Sequence, residues 1–592
     1  MALDEEQSSA SHEMRRSIDC LRDCADLAPV DAATLEALAA GAVHFSLPAG
    51  YSLFESGSAP DGVYLVASGR LGVKTRGMAR LTAEIERSEL VGEAGWLLKE
   101  ERSATVFALR DSEMLLIPNA VLDAVAAQST HFALALAQLC ARRLRRSNRQ
   151  ETSHKRARVF AVVPNSIEID VANLATRLVA EFARAGRTEL VWDARASAHT
   201  AGWFNAMEER NDFVVYVADP SPSGWTRQCC RQADVILLAA TAGAAAQPWP
   251  SGVAGAVARG ARVELALLHD GAVESGAAAR WLRTSPVALH HHLVDAADLG
   301  RLARLLTERG VGLVLSGGGA RGFAHLGVIR ALREARVPID FVGGSSIGSI
   351  IAAGVAVGWS DEEMRLRYRR SFVDTNPVND YTFPFVALTR GRKVSRLLQR
   401  EYGDISIEDL RQPFFCVSAN LTTGRALEHR DGRVADALRA SVAIPGVMPP
   451  VYRGDDVLVD GAAINNLPVD LMRAHAPGMV IGSDVGADRF VLGSRGKRRI
   501  NIFQILMHAG MVNNASSTET QRQLADVLLK PPLANVDLLN WRAFDRAIQA
   551  GYDYAQRAIE ALPSIPRLPA AVDRPVRSSL VAEMERRLAA TH

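Results

Sequence analysis

Two consecutive strand–turn–helix patterns between residues 312 and 357 constrain the fold of this chain more than any other feature. In the first, the apolar run 312–316 leads into glycine-rich residues 317–322, and a helical pattern follows. In the second, a short apolar strand leads into residues 344–348, and apolar residues then recur at helical spacing. Strands that alternate with helices in this way predict a parallel α/β sheet.

The first turn contains three glycines at the spacing Gly-x-Gly-x-x-Gly, namely Gly317, Gly319 and Gly322. Such a turn exposes backbone amides at a helix N-terminus, where negative charge is favoured. The same pattern is typical of a dinucleotide-binding fold, and Asp340 lies near the spacing of a ribose-binding acid. Asp340 precedes the second strand, however, whereas a ribose acid follows it. A dinucleotide-dependent oxidoreductase is therefore an alternative that rests on the glycine pattern alone.

The second turn, Gly344-Ser345-Ser346-Ile347-Gly348, has the pattern Gly-x-Ser-x-Gly between a strand and a helix. This is the context of a nucleophile elbow, in which Gly344 and Gly348 leave room for a tight turn that exposes the Ser346 hydroxyl. The pentapeptide alone is common. Its position directly after a glycine-rich turn, on the next βα unit, makes a site for a developing oxyanion the favoured interpretation.

A serine hydroxyl is a weak nucleophile and needs a base. The histidines after Ser346 do not follow strand ends in the pattern, and His325, in the helix after the glycine turn, is expected to pack or cap. The run Val457-Leu458-Val459 instead predicts a strand that delivers Asp460 at the turn Gly461-Ala462. An aspartate at a strand end is as often a simple turn residue, so both roles stay open at this point.

Length and composition limit the remaining classes. A chain of 592 residues with 48% hydrophobic and 23% charged residues predicts three to five globular domains and excludes disordered or collagen-like classes. The net charge of +2 gives no nucleic-acid signal. The 6 cysteines lack CxxC spacing, which argues against a disulfide framework and a structural zinc, and indicates a reducing compartment.

No targeting segment is evident. The N-terminus carries acids where a signal peptide needs basic residues. The uncharged stretch 341–360 is interrupted by glycines and serines, so its apolar part is too short for a hydrocarbon core of about 30 Å. We therefore expect a cytoplasmic protein, with peripheral contact at the inner face of the membrane left open.

The pattern along the chain predicts five segments, with boundaries at 1–27, 28–150, 155–307, 311–535 and 536–592. Short strands dominate 28–125 and a helix with a basic end follows at 131–146, either a solvated linker or a surface for anionic lipid. Residues 155–307 alternate strands and helices without a chemical motif and predict a scaffold or coupling domain. Residues 290–292 are three histidines, which we interpret as a loop cluster and not as a metal site. The C-terminal tail predicts a Pro-rich segment at 563–575 and a short helix near 580–588.

The strand-rich segment contains its own constellation of Gly92, Glu93, Arg102 and Ser103. An acid and an arginine that flank a short helical turn suit a ribose hydroxyl and a cyclic phosphate, because arginine forms paired charge-assisted bonds to phosphate. A degenerate domain retained for packing or docking is the alternative.

Taken together, residues 317–322, 344–348 and 460–462 resemble the three signatures of the patatin-like phospholipase family, and residues 443–450 and 465–469 add support. The middle region, with Trp225 to Gln228, Arg231 to Asp234 and His290 to His292, resembles the neuropathy target esterase branch. The resemblance implies three domains: an N-terminal β-roll with helices that is similar to cyclic-nucleotide-binding domains, a middle parallel α/β unit, and a C-terminal patatin-like α/β hydrolase with a mainly parallel sheet.

The resemblance also implies the chemistry. Ser346 would be the nucleophile and Asp460 its base, in a dyad without histidine. The amides of Gly317, Gly318 and Gly319 would form the oxyanion hole. Arg321 would steady either the glycine turn or the lipid phosphate, and Gly322 would support the same turn. Gly344 and Gly348 would shape the turn at Ser346, and Gly461 and Ala462 the turn at Asp460. The substrate would be a phospholipid or lysophospholipid ester, with no catalytic cofactor or metal. The acyl chain, head group and oligomeric state stay open.

Two further alternatives follow from the N-terminal and aromatic stretches. If Glu93 and Arg102 bind a nucleotide, cyclic AMP or cyclic GMP would be the regulator. The chain would then be a regulated esterase or, alternatively, a cyclic-nucleotide-responsive binding protein with a non-catalytic hydrolase-like unit.

Aromatic residues Tyr381, Phe383 and Phe385 precede Arg390 and nearby cations. This mixture is expected either to contact a bilayer, or to cover the acyl channel, or to form a packed loop.

Overall fold

The computed structural model describes residues 13–75, 77, 81–148, 156–166, 169–192, 200–221, 223–383, 385–475, 477–486 and 515–568. Its contacts divide the chain into two compact units, one of residues 1–239 with 248–264 and one of residues 240–247 with 265–592.

The first unit begins with a β-roll of two antiparallel four-stranded sheets, ordered β1-β8-β3-β6 and β2-β7-β4-β5. The strands are β1 (Val43–Leu47), β2 (Ser52–Phe54), β3 (Gly62–Ser68), β4 (Arg70–Thr75), β5 (Ala83–Glu86), β6 (Leu90–Val91), β7 (Ala104–Ala108) and β8 (Ser112–Pro118). The helices around it are Ala25–Leu27, Ala32–Ala40, Glu93–Leu98, Asn119–Gln128 and Thr130–Asn148.

Strand β3 shows why this region folds as a roll. Its side chains alternate between two cores: Val63 and Leu65 pack with the helices, while Tyr64 and Val66 pack between the sheets. The period of two along a strand produces this division. The basic helix predicted at 131–146 is real, and two of its arginines are bound within the unit, Arg142 to Asp26 and Arg143 to Glu93.

The first unit continues into a parallel sheet ordered β10-β11-β9-β12. Its strands are β9 (Val159–Pro164), β10 (Thr188–Val191), β11 (Phe213–Val217) and β12 (Val235–Thr241), with helices Val171–Phe182, Ala201–Arg210, Gly224–Gln232 and Val253–Ala258. Every residue of β9 is buried, as expected for a parallel strand covered on both faces. Asp234, just before β12, accepts hydrogen bonds from Arg70 and Arg110 of the β-roll.

The second unit contains a larger, mainly parallel sheet, as predicted, in the order β19-β20-β17-β16-β15-β21-β22 with β18 against β17. Its strands are β15 (Gly310–Leu315), β16 (Phe341–Ser345), β17 (Phe414–Asn420), β18 (Arg425–His429), β19 (Val451–Arg453), β20 (Asp456–Asp460), β21 (Gly478–Ser483) and β22 (Val527–Leu529). Strands β15, β16, β17, β21 and β22 run parallel, and β18, β19 and β20 form antiparallel pairs. Two further strands precede the sheet in sequence, β13 (Arg262–Leu268) and β14 (Leu289–Leu293).

Helices cover both faces of this sheet and enclose two apolar clusters. The helices of the second unit are Ala277–Thr284, Ala296–Leu306, Gly319–Phe323, Ala324–Glu334, Ile347–Val357, Asp361–Tyr368, Arg369–Asp374, Arg392–Tyr402, Ile407–Asp409, Val434–Ser441, Gly461–Ala463, Val469–Ala474, Ala515–Leu524, Trp541–Ala543 and Phe544–Glu560.

The boundary predicted at residue 535 does not separate two packing units. Phe544–Glu560 packs directly on Ala324–Glu334, and its Phe544 and Ala547 belong to the same apolar cluster as β15. A Cβ at Gly327 would lie 2.0 Å from the carbonyl oxygen of Ile548, so glycine allows the two backbones to meet. The predicted Pro-rich segment and terminal helix lie mostly or wholly outside the described residues.

The uncharged stretch at 341–360 forms a strand, a turn and the buried helix Ile347–Val357, as predicted. Among the described residues, no single helix has the length and apolar character needed to cross a membrane. One pair, Asn119–Gln128 with Thr130–Arg145, meets those two criteria together but bends by 116°.

The three histidines at 290–292 lie on strand β14, and the predicted loop cluster is wrong. Glu274 N–H donates to His269 Nδ1, and His269 Nε2 lies 2.7 Å from His292 Nδ1. His292 Nε2 and His290 Nε2 each lie 2.7 Å from the Glu408 carbonyl oxygen. These donors and acceptors require the rings of His269 and His292 to be neutral, and burial lowers the pKa of His290 to about 4 and of His292 to about 3.

Acidification should therefore destabilise the chain through these rings. The folded-state pKa values lie below the unfolded value of about 6.5, so their stabilisation is present above that pH and is lost as pH falls, by about 1.4 kcal/mol per pH unit for each ring. His292→Gln keeps an amide donor but does not titrate. Between about pH 6.5 and about pH 5, we expect the loss in its free energy of unfolding to be about 2 kcal/mol smaller than the loss in the parent chain. Urea denaturation at both pH values measures this difference. His131→Gln, at an exposed histidine, is the control; equal acid sensitivity of His292→Gln and the parent chain would contradict the account.

Candidate active site

Ser346 lies between β16 and the helix Ile347–Val357, with φ 51° and ψ −128°. A non-glycine residue at positive φ is strained and persists where the surroundings fix it. The flanking glycines allow the turn to press against β15: a Cβ would lie 2.7 Å from the Leu315 carbonyl oxygen at Gly344, and 2.3 Å from it at Gly348. The sequence therefore folds here into the sharp turn that the Gly-x-Ser-x-Gly pattern predicts.

Asp460 ends strand β20, and its Oδ2 accepts a hydrogen bond of 2.7 Å from Ser346 Oγ. The other carboxylate oxygen accepts from the Ala462 N–H at 2.9 Å, which is the contribution of the turn at Gly461 and Ala462. Strand β20 pairs with β17, and its own N–H at Asp460 donates to the Ala443 carbonyl at 2.9 Å. Both side chains are buried. Two residues 114 positions apart are thus brought into direct contact.

Burial raises the pKa of Asp460 to about 6, although the hydrogen bonds from Ser346 and Ala462 lower it. Among the described residues no cation forms an ion pair with this carboxylate. A buried carboxylate without a cation is a stronger base than an exposed one and remains ionised at neutral pH. The pair has the geometry needed for proton transfer from the serine hydroxyl.

The glycine-rich turn lies against Ser346. A Cβ at Gly317 would lie 2.6 Å from Asn466 Oδ1 and 3.0 Å from the Ser346 Cβ, so a larger residue there would crowd both side chains. The Gly317 N–H donates to Asn466 Oδ1 at 3.1 Å. The N–H groups of Gly318 and Gly319 donate no hydrogen bond within the described part of the chain. Two of the three amides predicted to hold an oxyanion are therefore free, and the third is bound by Asn466.

Arg321 and Gly322 hold the far side of this turn. Arg321 Nε donates to the Val536 carbonyl at 2.7 Å, and the Ala320 N–H donates to the Leu538 carbonyl at 2.8 Å. Burial lowers the pKa of Arg321. A Cβ at Gly322 would lie 2.4 Å from Ile347 Cγ2. Of the two roles considered for Arg321, its contacts favour support of the turn.

His325, expected to pack, does so. Its Nδ1 lies 2.8 Å from Ser483 Oγ and its Nε2 lies 2.9 Å from the Ser316 carbonyl oxygen. Burial lowers the pKa of His325 to about 4, so the ring is neutral and ties β15 to β21 beside the glycine turn. Elsewhere in the described residues, His429 bonds to Ser418 and His475 to Glu428.

Asp340 forms an ion pair with Arg304 at 2.6 Å and accepts the Val311 N–H at 3.0 Å. It is buried and occupied by these contacts. The oxidoreductase alternative therefore lacks the ribose-binding acid that it needs.

Ser441 is a site residue that sequence reasoning missed. Its Oγ accepts a hydrogen bond from the Ser346 N–H at 3.1 Å and donates one to the Val417 carbonyl at 2.7 Å. The contact links residues 95 positions apart, so no local pattern predicts it. The sequence feature that could have pointed to Ser441 is its position at the end of the helix Val434–Ser441, just before residues 443–450, which resemble the family.

The second predicted site, in the β-roll, is occupied by the protein's own groups. Gly92 has φ +91°, and its carbonyl accepts from Arg102 Nη1 at 2.8 Å. Arg102 Nη2 donates to Asp61 Oδ1 at 2.7 Å. Glu93 Oε1 accepts from Arg143 Nη1 at 2.6 Å. Arg102 and Glu93 are buried, while Ser103 is exposed on the loop before β7.

Within the described residues, no three or more histidine, cysteine, aspartate or glutamate side chains are placed so that they could hold one metal ion.

Comparison with known proteins gives three matches along the chain. Residues 313–473 match the patatin-like phospholipase family, residues 156–303 match the P-loop-like domain of the neuropathy target esterase family, and residues 44–129 match the cyclic nucleotide-binding domain. The three ranges lie in the C-terminal, middle and N-terminal segments respectively.

Relatives match over most of the chain. The NTE family protein Rv2565 of Mycobacterium tuberculosis is 32% identical, over 93% of this chain and 98% of that protein. Patatin-like phospholipase domain-containing protein 6 of Homo sapiens is 29% identical, over 86% of this chain and 44% of that protein. Lysophospholipase nte1 of Aspergillus fumigatus is 27% identical, over 88% of this chain and 42% of that protein.

The fold and these matches define a carboxylic ester hydrolase of the patatin-like phospholipase class. The chain belongs to the neuropathy target esterase family, with a cyclic nucleotide-binding domain at its N-terminal side.

Replacement of Ser441 tests how firmly the turn at Ser346 is held. Ser441→Ala leaves the buried Ser346 N–H and Val417 carbonyl without that partner, and we expect a loss of about 1–3 kcal/mol in the free energy of unfolding. Urea denaturation measures it. Ser349→Ala is the matched control: its Oγ bonds the Ser346 carbonyl, which also accepts the Ser349 and Ile350 N–H groups, so its loss should be smaller. Equal losses would contradict the assigned role of Ser441.

Proposed function

We propose that this chain is a serine esterase that hydrolyses acyl ester bonds of phospholipids or lysophospholipids through an acyl-enzyme on Ser346. The observation that carries the proposal is the 2.7 Å hydrogen bond from Ser346 Oγ to Asp460 Oδ2 at a buried turn. The turn lies beside the amides of Gly318 and Gly319, which no described residue accepts from. Lipid esters are favoured because the chain belongs to a phospholipase family and the name of one relative is a lysophospholipase.

The first half of the reaction transfers the acyl group. Ser346 Oγ attacks the ester carbonyl carbon while Asp460 Oδ2 takes the hydroxyl proton. The carbonyl oxygen becomes negative and accepts hydrogen bonds from the amides of Gly318 and Gly319, with Gly317 available if it leaves Asn466. The carbonyl then re-forms, the bond to the lipid alcohol breaks, and Asp460 returns the proton to that oxygen.

The second half repeats these steps with water. The water oxygen attacks the acyl carbon while Asp460 takes a proton from that water. Asp460 then gives the proton to Ser346 Oγ as the fatty acid leaves. The N-terminus of Ile347–Val357 adds a favourable dipole for the negative intermediate. Arg321, Gly322, Gly344 and Gly348 fix the two turns in this scheme.

Substitution of the pair tests the reaction. We expect Ser346→Ala to abolish release of fatty acid from lysophosphatidylcholine, and Asp460→Asn to lower kcat by about 10²- to 10⁴-fold because the amide accepts no proton. The matched control is Asp456→Asn, on the same strand, which should retain parental turnover. Parental activity should also fall below about pH 6, where Asp460 becomes protonated. Near-parental turnover by Asp460→Asn would exclude the dyad.

We further infer that the N-terminal domain binds a cyclic nucleotide that regulates the esterase. The match of residues 44–129 to a cyclic nucleotide-binding domain supports this inference, as do Arg102 and Glu93 beside the turn at Gly92. A bound phosphate would pair with Arg102 in competition with Asp61, and a ribose hydroxyl with Glu93 in competition with Arg143. Regulation further requires that the nucleotide bind two states of the enzyme with different affinity.

Calorimetric titration of the full chain with cyclic AMP and with cyclic GMP tests this inference. We expect saturable binding of one of them, a changed turnover at saturation, and affinity weakened about 10- to 100-fold in Arg102→Lys, which keeps the charge but not the paired donors. Arg145→Lys, at an exposed position of the helix Thr130–Asn148, is the control. Absence of heat with both nucleotides would leave the domain as a packing or docking module.

A further inference from the structure

Tyr381, Phe383, Phe385 and Val386 form an exposed apolar patch, and we call residues 381–383 with 385–386 the aromatic loop. The exposed fraction is 70% for Tyr381, 78% for Phe383, 89% for Phe385 and 66% for Val386. The two phenylalanines are the most exposed of the large apolar side chains in the described residues, and their ring centroids lie 5.7 Å apart. Single exposed apolar residues need no explanation, but four within six positions mark an interaction site.

The base of the aromatic loop is firmly held. Tyr381 and Thr389 form an antiparallel bridge, and the Thr382 N–H donates to the Leu388 carbonyl at 3.0 Å. Ala387 is buried, and Leu388 packs against the main apolar cluster. The backbone at the base of the loop therefore holds Phe383 and Phe385 in solvent. Burying these side chains against a partner would be favourable, because it releases water from apolar surface.

Cations follow the loop directly. Arg390, Arg392 and Arg396 are exposed, and none of them forms an ion pair in the described part of the chain. Lys393 Nζ bonds the Asn379 side-chain oxygen at 2.6 Å, and the nearby carboxylate of Asp380 accepts the Lys393 N–H. Aromatic tips followed by unpaired arginines complement a bilayer surface, where acyl chains lie below anionic phosphates.

The loop is also bonded to a segment that contacts Asp460. The Leu388 N–H donates to the Gly446 carbonyl and the Thr389 N–H to the Val447 carbonyl, both at 2.9 Å. The same segment begins at Ala443, whose carbonyl accepts the Asp460 N–H at 2.9 Å. One short segment thus connects the base of the aromatic loop with the strand end that bears the proposed base.

We propose that the aromatic loop docks on the surface of an anionic phospholipid bilayer, with Phe383 and Phe385 in the interfacial layer and Arg390, Arg392 and Arg396 at the phosphates. This goes beyond the proposed function, because docking requires no hydrolysis. A second copy of this chain is the competing occupant.

Flotation of the full chain with vesicles tests the proposal without reference to turnover. One set of vesicles is phosphatidylcholine with a quarter phosphatidylglycerol, and the other is phosphatidylcholine alone. We expect stronger binding to the anionic set, weakened as salt rises from about 0.1 M to about 1 M because the Debye length falls from about 10 Å to about 3 Å. The double variant Phe383→Asp with Phe385→Asp should bind at least about 10-fold less.

Matched variants make the result decisive. Leu98→Asp with Leu134→Asp alters two exposed leucines of the N-terminal domain and should bind like the parent. Arg390→Gln with Arg396→Gln should remove the preference for anionic vesicles. Phe385→Asp alone serves if the double variant unfolds at a lower temperature than the parent. Parental binding by the aromatic variants, or an equal loss in the leucine variant, would overturn the proposal. The proposal would also be overturned if the aromatic variants had a lower molar mass than the parent by light scattering while they bound vesicles as the parent does. That result would assign the loop to self-association.

Discussion

The hydrogen bond between Ser346 and Asp460 depends on a buried carboxylate with which no cation of the described residues forms an ion pair. Taking a charge out of water is costly, and here two donors, the Ser346 hydroxyl and the Ala462 N–H, offset part of that cost. An arginine or lysine side chain beside this carboxylate would hold the pKa of Asp460 far below neutrality and make Asp460 a weak base. Because burial instead raises the pKa to about 6, the same carboxylate is ionised at neutral pH and still able to accept a proton.

The surrounding sheet is built to bring these two groups together. Ser346 follows a parallel strand, as nucleophiles of α/β sheets do, whereas Asp460 ends an antiparallel strand on the other side of β17. The turn at Ser346 is held at positive φ by three neighbours: β15, which the flanking glycines allow to approach, the glycine turn, and Ser441. The strain is thus maintained by tertiary contacts from distant parts of the chain, which is where the stability of such a turn must come from.

Local patterns predicted the parts of this arrangement that are local. Residues 344–348 and 460–462 each carry their turn and their polar side chain within a few positions, so the local pattern predicts both turns, and the family resemblance then implies the role of Asp460 as base. Ser441 and Asn466 were not identified as site contacts, because each acts on a backbone amide more than ninety positions away. The same limit explains the boundary at 535, since the packing of Phe544–Glu560 depends on a glycine-permitted contact with Ala324–Glu334. It also explains the histidines of β14, whose strand pattern is hidden by polar side chains that find partners only in the folded chain.

The central claim is that one serine, activated by one carboxylate, carries the acyl group. Peptide mapping by mass spectrometry after reaction of the full chain with a fluorophosphonate tests it most directly. The account predicts a single adduct on Ser346, distinguishable from Ser345 and Ser349 by fragmentation, that forms much more slowly when Asp460 is replaced by asparagine. An adduct on another residue, or one that forms at the parental rate without the carboxylate, would contradict it.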